Sequence, residues 1–100
     1  MTANENDVNE NGFYTLYASD GTYKIYEIDG ETMTVVRKIF VTDPDTNKNI
    51  PKINELEYVD GFIYANIWYK DIVIKIDPET GYVVNQWDLG TLFDANNAFS

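Results

Sequence analysis

Cysteine and histidine are both absent from this 100-residue sequence, and proline occurs only three times. Without cysteine there is no disulfide framework, so oxidising export is neither required nor refuted. Without either residue, zinc sites of the Cys/His kind cannot form, nor can Ser-His-Asp or Cys-His nucleophile systems within this chain. Cations are scarce as well: seven Lys+Arg face seventeen Asp+Glu, a net charge of −10. That balance builds no strong basic face, which argues against a nucleic-acid partner and against anionic membrane surfaces. No apolar run approaches the roughly 20 residues that a membrane helix needs. The first residues, Met1 to Asn11, are polar and acidic. They do not resemble a secretory signal, and residues 1–11 are expected to form a disordered lead.

What is present is β-forming. Val, Ile, Thr, Tyr, Phe and Trp total 42 residues, against nine Leu and Ala; β-branched and aromatic side chains suit a pleated, packed surface. Charged residues, at 24%, are ordinary for a globular chain. Alternation and turn residues mark seven strand-like runs: Phe13–Ser19, Tyr23–Ile28, Thr34–Val41, Asn54–Val59, Phe62–Tyr69, Ile72–Ile76 and Tyr82–Leu89. Asp20-Gly21, Asp29-Gly30 and Asp60-Gly61 are hairpin-turn dipeptides, because glycine tolerates positive φ and aspartate bonds its own backbone. Pro78 to Gly81 makes a fourth turn, and Thr42–Pro51 reads as a longer polar loop. Thr91–Ser100 leaves room for a short turn of helix, and residues 93–100 read as a C-terminal tail.

An internal repeat organises these runs. Tyr26-Glu27-Ile28-Asp29-Gly30-Glu31-Thr32 aligns with Ile74-Lys75-Ile76-Asp77-Pro78-Glu79-Thr80, and Gly12-Phe13 answers Gly61-Phe62. The offset of about 48 residues is the size of a four-stranded propeller blade. The expected fold is therefore all-β, with antiparallel four-stranded blades. A partial propeller would span 12–92, blade one 13–41 and blade two 54–89. The first blade shows three strands by this reading, its innermost strand lying outside the chain. Two blades leave two large faces open, which predicts self-association or membership of a longer propeller.

The densest chemistry lies between Asn54 and Trp68. On ideal strands Asn54, Leu56 and Tyr58 share one face and Glu55 and Glu57 the other, while Asn66 and Trp68 share a face of the next strand. A pocket with an indole wall and orienting amides is one reading; a satisfied amide at Asn66 and plain packing at Trp68 is the other. Glu55 and Glu57 fit a general acid/base pair or an ordinary solvated face. Asp43-Pro44-Asp45-Thr46-Asn47 opens like a calcium loop, but Lys48 and Asn54 stand where that loop needs Gly and Glu, so no metal is expected.

Five segments, in order, carry a resemblance: Ser19-Asp20-Gly21-Thr22, Tyr26-Glu27-Ile28-Asp29, Asn54-Glu55-Leu56-Glu57-Tyr58-Val59-Asp60-Gly61, Ala65-Asn66-Ile67-Trp68 and Ile76-Asp77-Pro78-Glu79-Thr80-Gly81. From about Gly12 to Leu92 the chain resembles the plant- and bacterial-type glutaminyl-peptide cyclotransferases (glutamine cyclotransferases), as a central portion of that family. The resemblance implies a five-bladed β-propeller and an acyltransfer reaction without a cofactor. The α-amine of an N-terminal glutamine would attack its own side-chain amide, forming pyroglutamate and releasing ammonia. Partners would be peptides or proteins with N-terminal Gln.

The resemblance implies further that Asn54 hydrogen-bonds the substrate and that Trp68 walls the pocket; Asn66 joins Trp68 as a substrate-binding candidate on the residue pattern alone. Glu55 and Glu57 lie within the motif, but the family's catalytic glutamate belongs to a Gly-Glu-Gly-Leu segment that this sequence lacks. Its Phe-Thr-Gln/Glu-Gly and Thr-Gly-Lys-x-Trp segments are missing too. The chain is thus expected to be a fragment with little activity alone. A non-catalytic peptide- or partner-binding module and an assembly protein are the alternatives. Family members are often secreted or extracytoplasmic, and the compartment of this chain stays open.

Overall fold

A computed structural model of the chain describes residues 1–90. Ten strands run in order: β1 (Thr2–Val8), β2 (Tyr14–Ser19), β3 (Lys24–Asp29), β4 (Thr34–Phe40), β5 (Thr42–Asp43), β6 (Lys48–Asn49), β7 (Ile53–Val59), β8 (Phe62–Ile67), β9 (Ile72–Ile76) and β10 (Val83–Asp88). They form two four-stranded antiparallel meanders, β1-β2-β3-β4 and β7-β8-β9-β10, and a two-stranded hairpin, β5-β6. Among the described residues no helix is long and apolar enough to cross a membrane. The expected Thr91–Ser100 turn and the tail at 93–100 lie outside the described residues.

Alternation builds the interior. Along β8 the side chains of Ile63, Ala65 and Ile67 turn inward while their neighbours stay half-exposed. Ile74 and Ile76 do the same on β9. They meet Ile25 and Ile39 of the first sheet, so one apolar layer lies between the two sheets. Tyr17 and Tyr58 stack across it, ring centres 5.9 Å apart. The link between the sheets is pinned where it leaves β4. Val41 N–H donates to the Tyr23 carbonyl (2.9 Å) and Thr42 N–H to the Gly81 carbonyl (2.9 Å). Arg37 adds a polar tie: it pairs with Glu27 at 3.0 Å and donates to the Pro78 carbonyl at 2.6 Å.

The repeat seen in the sequence is a repeat of structure. Asp29 and Asp77 each accept the backbone N–H two residues on, from Glu31 (2.8 Å) and Glu79 (2.9 Å). Met33 and Gly81, equivalent by the same offset, each donate N–H back to the aspartate carbonyl at 2.7 Å.

Two expectations are corrected. Residues 1–11 are not a disordered lead: Thr2–Val8 pairs with β2 and completes the first sheet with a fourth strand. The first four-stranded sheet therefore begins at Thr2, not at residue 13. This strand buries no side chain and shows no apolar alternation. Polar contacts fix it instead: Thr15 Oγ1 donates to Asp7 (2.8 Å), and Tyr58 N–H donates to Thr2 Oγ1 (2.9 Å). The polar loop Thr42–Pro51 contains the β5-β6 hairpin.

Candidate functional site

Every candidate residue lies on or beside the β7–β8 hairpin. Pairing of these strands changes register between Ile53 and Leu56: Ile53 opposes Ile67, and Leu56 opposes Ala65. Asn54 and Glu55 thus share the single opposing position of Asn66, a β-bulge. The Asn66 side-chain carbonyl accepts Glu55 N–H at 2.9 Å, supplying the acceptor that the interrupted ladder withdraws. The expectation of an orienting amide at Asn66 meets a side chain whose oxygen already serves the bulge.

The bulge also breaks the expected alternation of β7. Leu56 is buried and Tyr58 packs on the interior, as one face requires. Asn54 falls out of that set, half-buried at the bulge. Its carbonyl accepts the Ser19 hydroxyl at 2.5 Å, while Ile53 N–H donates to the Thr22 carbonyl at 3.0 Å. The start of β7 is thereby fastened to the β2–β3 turn of the other sheet. Among the described residues the Asn54 side-chain amide makes no hydrogen bond, so its donors and acceptor are open.

Trp68 is not on a strand face with Asn66. β8 ends at Ile67, and Trp68 occupies the turn that follows. Its N–H donates to the Lys52 carbonyl at 2.8 Å, and its ring stacks on Tyr69 with centres 5.0 Å apart and planes 6° apart. The indole is 48% exposed, at the rim of the second sheet.

Glu55 and Glu57 project from β7 into solvent. With Tyr64, Asn66 and Val73 they border a shallow hollow of about 350 Å³. Tyr64 stacks on Trp87 beside it (6.1 Å), and Lys75 lies 4.2 Å over the Phe62 ring. Neither Asn54 nor Trp68 borders this hollow. The structure therefore brings Glu55, Glu57 and Asn66 together on one face, with Trp68 apart on the rim turn.

A polar hub at the β2–β3 turn escapes sequence reading, where Asp20-Gly21 marks only a turn. The Asp20 carboxylate accepts the Thr22 hydroxyl and the Tyr26 hydroxyl (2.6 Å). These bonds, Thr22's first, hold the Asp20 carboxyl below its ordinary pKa, and the same contact raises the Tyr26 phenol. The hub abuts Asn54 through Ser19. In the β5–β6 turn, Asp43 caps Asp45 N–H at 2.9 Å. Among the described residues no three carboxylates are placed to hold a metal ion.

A family model described as glutamine cyclotransferase matches residues 11–99. The chain is 36% identical over 66 residues to a glutaminyl-peptide cyclotransferase of Arabidopsis thaliana, covering 66% of this chain and 20% of that protein. It is similar in structure to the glutaminyl cyclase of Myxococcus xanthus, with a TM-score of 0.73 and 36% identity, covering 81% of this chain and 34% of that one. The chain spans well under half the length of either relative.

Proposed function

The chain belongs to the glutamine cyclotransferase family, and on that premise we propose that it carries part of a site converting N-terminal glutamine to pyroglutamate. Its two sheets would be neighbouring blades of a closed propeller. The site would lie where the start of β7 meets the β8–β9 turn. The observation that carries this reading is Asn54, whose side-chain amide is unengaged among the described residues and whose backbone is held at the bulge, by the β2–β3 turn on one side and by the Glu55 N–H bond to Asn66 on the other. A rigid backbone and a free amide are what a substrate-orienting group needs.

The reaction forms one C–N bond and breaks another. The neutral α-amine attacks the side-chain carbonyl, negative charge gathers on that oxygen, and the amide nitrogen leaves as ammonia after gaining a proton. Asn54 Nδ2–H would donate to the developing oxyanion, and the exposed face of Trp68 would hold the aliphatic stem of the glutamine. The proton must pass from the attacking to the leaving nitrogen through a general acid/base. Glu55 and Glu57 are the carboxylates of the motif, but they border the hollow with Asn66. The family's Gly-Glu-Gly-Leu glutamate, absent from this sequence, would be the carrier in the whole enzyme.

The test is ammonia release from a Gln-initiated dipeptide. Where turnover is seen, Asn54→Ala is expected to lower kcat by about 10²-fold, as loss of one oxyanion donor does. Trp68→Ala is expected to raise KM with a smaller change in kcat. Unchanged kinetics in both variants would sink the assignment. Saturable binding of Gln-initiated peptides by a folded chain without ammonia release would instead favour a binding module.

A further inference from the structure

The turn after β8 contains a residue that folding does not account for. Tyr69 adopts φ +67°, in the left-handed region that disfavours side chains, yet it is 81% exposed. Burial therefore offsets little of that strain. The repeat makes the contrast direct, since the equivalent position of the β2–β3 turn holds Gly21, at φ +83°. A glycine suits this turn, and the second sheet carries a tyrosine instead. Strain kept at an exposed side chain points to a use for that side chain.

Its neighbours indicate the use. Lys52, at the entry to β7, is left-handed too, at φ +63°. Its ammonium lies 6.0 Å from the centre of the Tyr69 ring, within reach of a cation–π contact. Tyr69 in turn stacks on Trp68. Lys70 follows in the same turn, its N–H donating to the Ile67 carbonyl at 3.1 Å. Neither lysine forms an ion pair among the described residues, where Arg37 with Glu27 is the one pair present. On a chain of net charge −10, these two lysines place positive charge beside the aromatic shelf, where it favours an anionic group.

We propose that Lys52 and Tyr69 form a specificity shelf beside Trp68, selecting peptides with an acidic side chain directly after the N-terminal glutamine. This rests on the proposed function in taking Trp68 as the glutamine wall. The peptide would lie across the Tyr69 ring, with its second side chain turned to the Lys52 ammonium. Lys70 would add charge without a fixed contact. Acidic peptides would otherwise be disfavoured by the chain's own carboxylates.

The experiment titrates the chain with three tripeptide amides, beginning Gln-Glu, Gln-Lys and Ala-Glu, and follows tryptophan fluorescence at low salt. Wild type is expected to bind Gln-Glu about three- to tenfold more tightly than Gln-Lys, the scale of exposed charge pairs. The preference should shrink in about 1 M salt, where exposed charges are screened. Lys52→Glu should reverse it. Tyr69→Gly suits the left-handed backbone, so it should fold at least as well while losing affinity for Gln-Glu. Equal binding of Gln-Glu and Gln-Lys would overturn the shelf and leave the glutamine reading standing. Binding of Ala-Glu as tight as Gln-Glu, and lost in Lys52→Glu, would keep the shelf and overturn the glutamine reading. Absence of binding by all three would overturn both.

Discussion

In the second sheet the first strand, β7, enters through Ile53 and Leu56, both buried. In the first sheet the corresponding strand, β1, buries nothing and is held by its ladder to β2 and by polar side chains. The two strands take the same place in two like meanders, and they reach it by different physics. Apolar burial fixes β7 and depends on no particular partner. Hydrogen bonding fixes β1 and needs its partners already in place. The same contrast recurs at the turns, where one sheet has Gly81 and the other Met33, and where one has Tyr69 and the other Gly21.

The widest separation should come from truncating the interior. Ile74 is fully buried between the sheets, and Ile74→Ala should cost about 2–5 kcal/mol, the lost transfer energy plus a cavity. Val8, at the end of β1, is 50% exposed, and Val8→Ala should stay within about 0.5 kcal/mol. Urea unfolding followed by circular dichroism measures both. Equal losses would mean that β1 contributes burial after all.

That difference also explains what the sequence made legible. All seven strands read from alternation are present, with ends shifted by a residue or two, and each places at least one apolar side chain in the shared layer. The repeat was legible because Asp29 and Asp77 cap their own turns through local bonds. β1 was not, since an edge held by Thr2, Asp7 and its ladder carries no periodicity to detect. The bulge at Asn54–Glu55 was also hidden. It depends on Asn66, eleven positions beyond Glu55, and it dissolves the simple face assignment of β7. Asn54 and Trp68 were recognisable as a motif, but the separation of Trp68 from the Glu55–Glu57 face required coordinates.

A second break acts where the sheets are stitched together. Gly81 sits at φ +81°, and a Cβ there would collide with the carbonyl oxygen of Phe40 at the end of β4. Its own carbonyl receives Thr42 N–H, the bond that carries the chain from one sheet to the next. Gly81→Ala therefore combines backbone strain with a clash against backbone that cannot rotate away. The expected loss is about 1–3 kcal/mol, read as a lower urea midpoint at unchanged slope. A midpoint equal to wild type would show that the link yields without cost.

The smallest expected effect has the opposite sign. Met33 occupies the position equivalent to Gly81, at φ +57° with the side chain 59% exposed. Its left-handed backbone costs roughly 1–2 kcal/mol for an L-residue, which glycine relieves. Glycine also frees the unfolded chain, taking back about 0.4–1 kcal/mol. The exposed side chain gives up little burial, so Met33→Gly should stabilise by up to about 1 kcal/mol, seen as a raised urea midpoint. Tyr69→Gly removes the same kind of strain and should move stability in the same direction. If both variants are stabilised but only Tyr69→Gly loses peptide affinity, strain alone does not mark a site. What distinguishes Tyr69 is then its contact with Trp68 and Lys52. Destabilisation by Met33→Gly would show instead that an exposed side chain in this turn contributes more than its backbone costs, and the strain argument for Tyr69 would weaken with it.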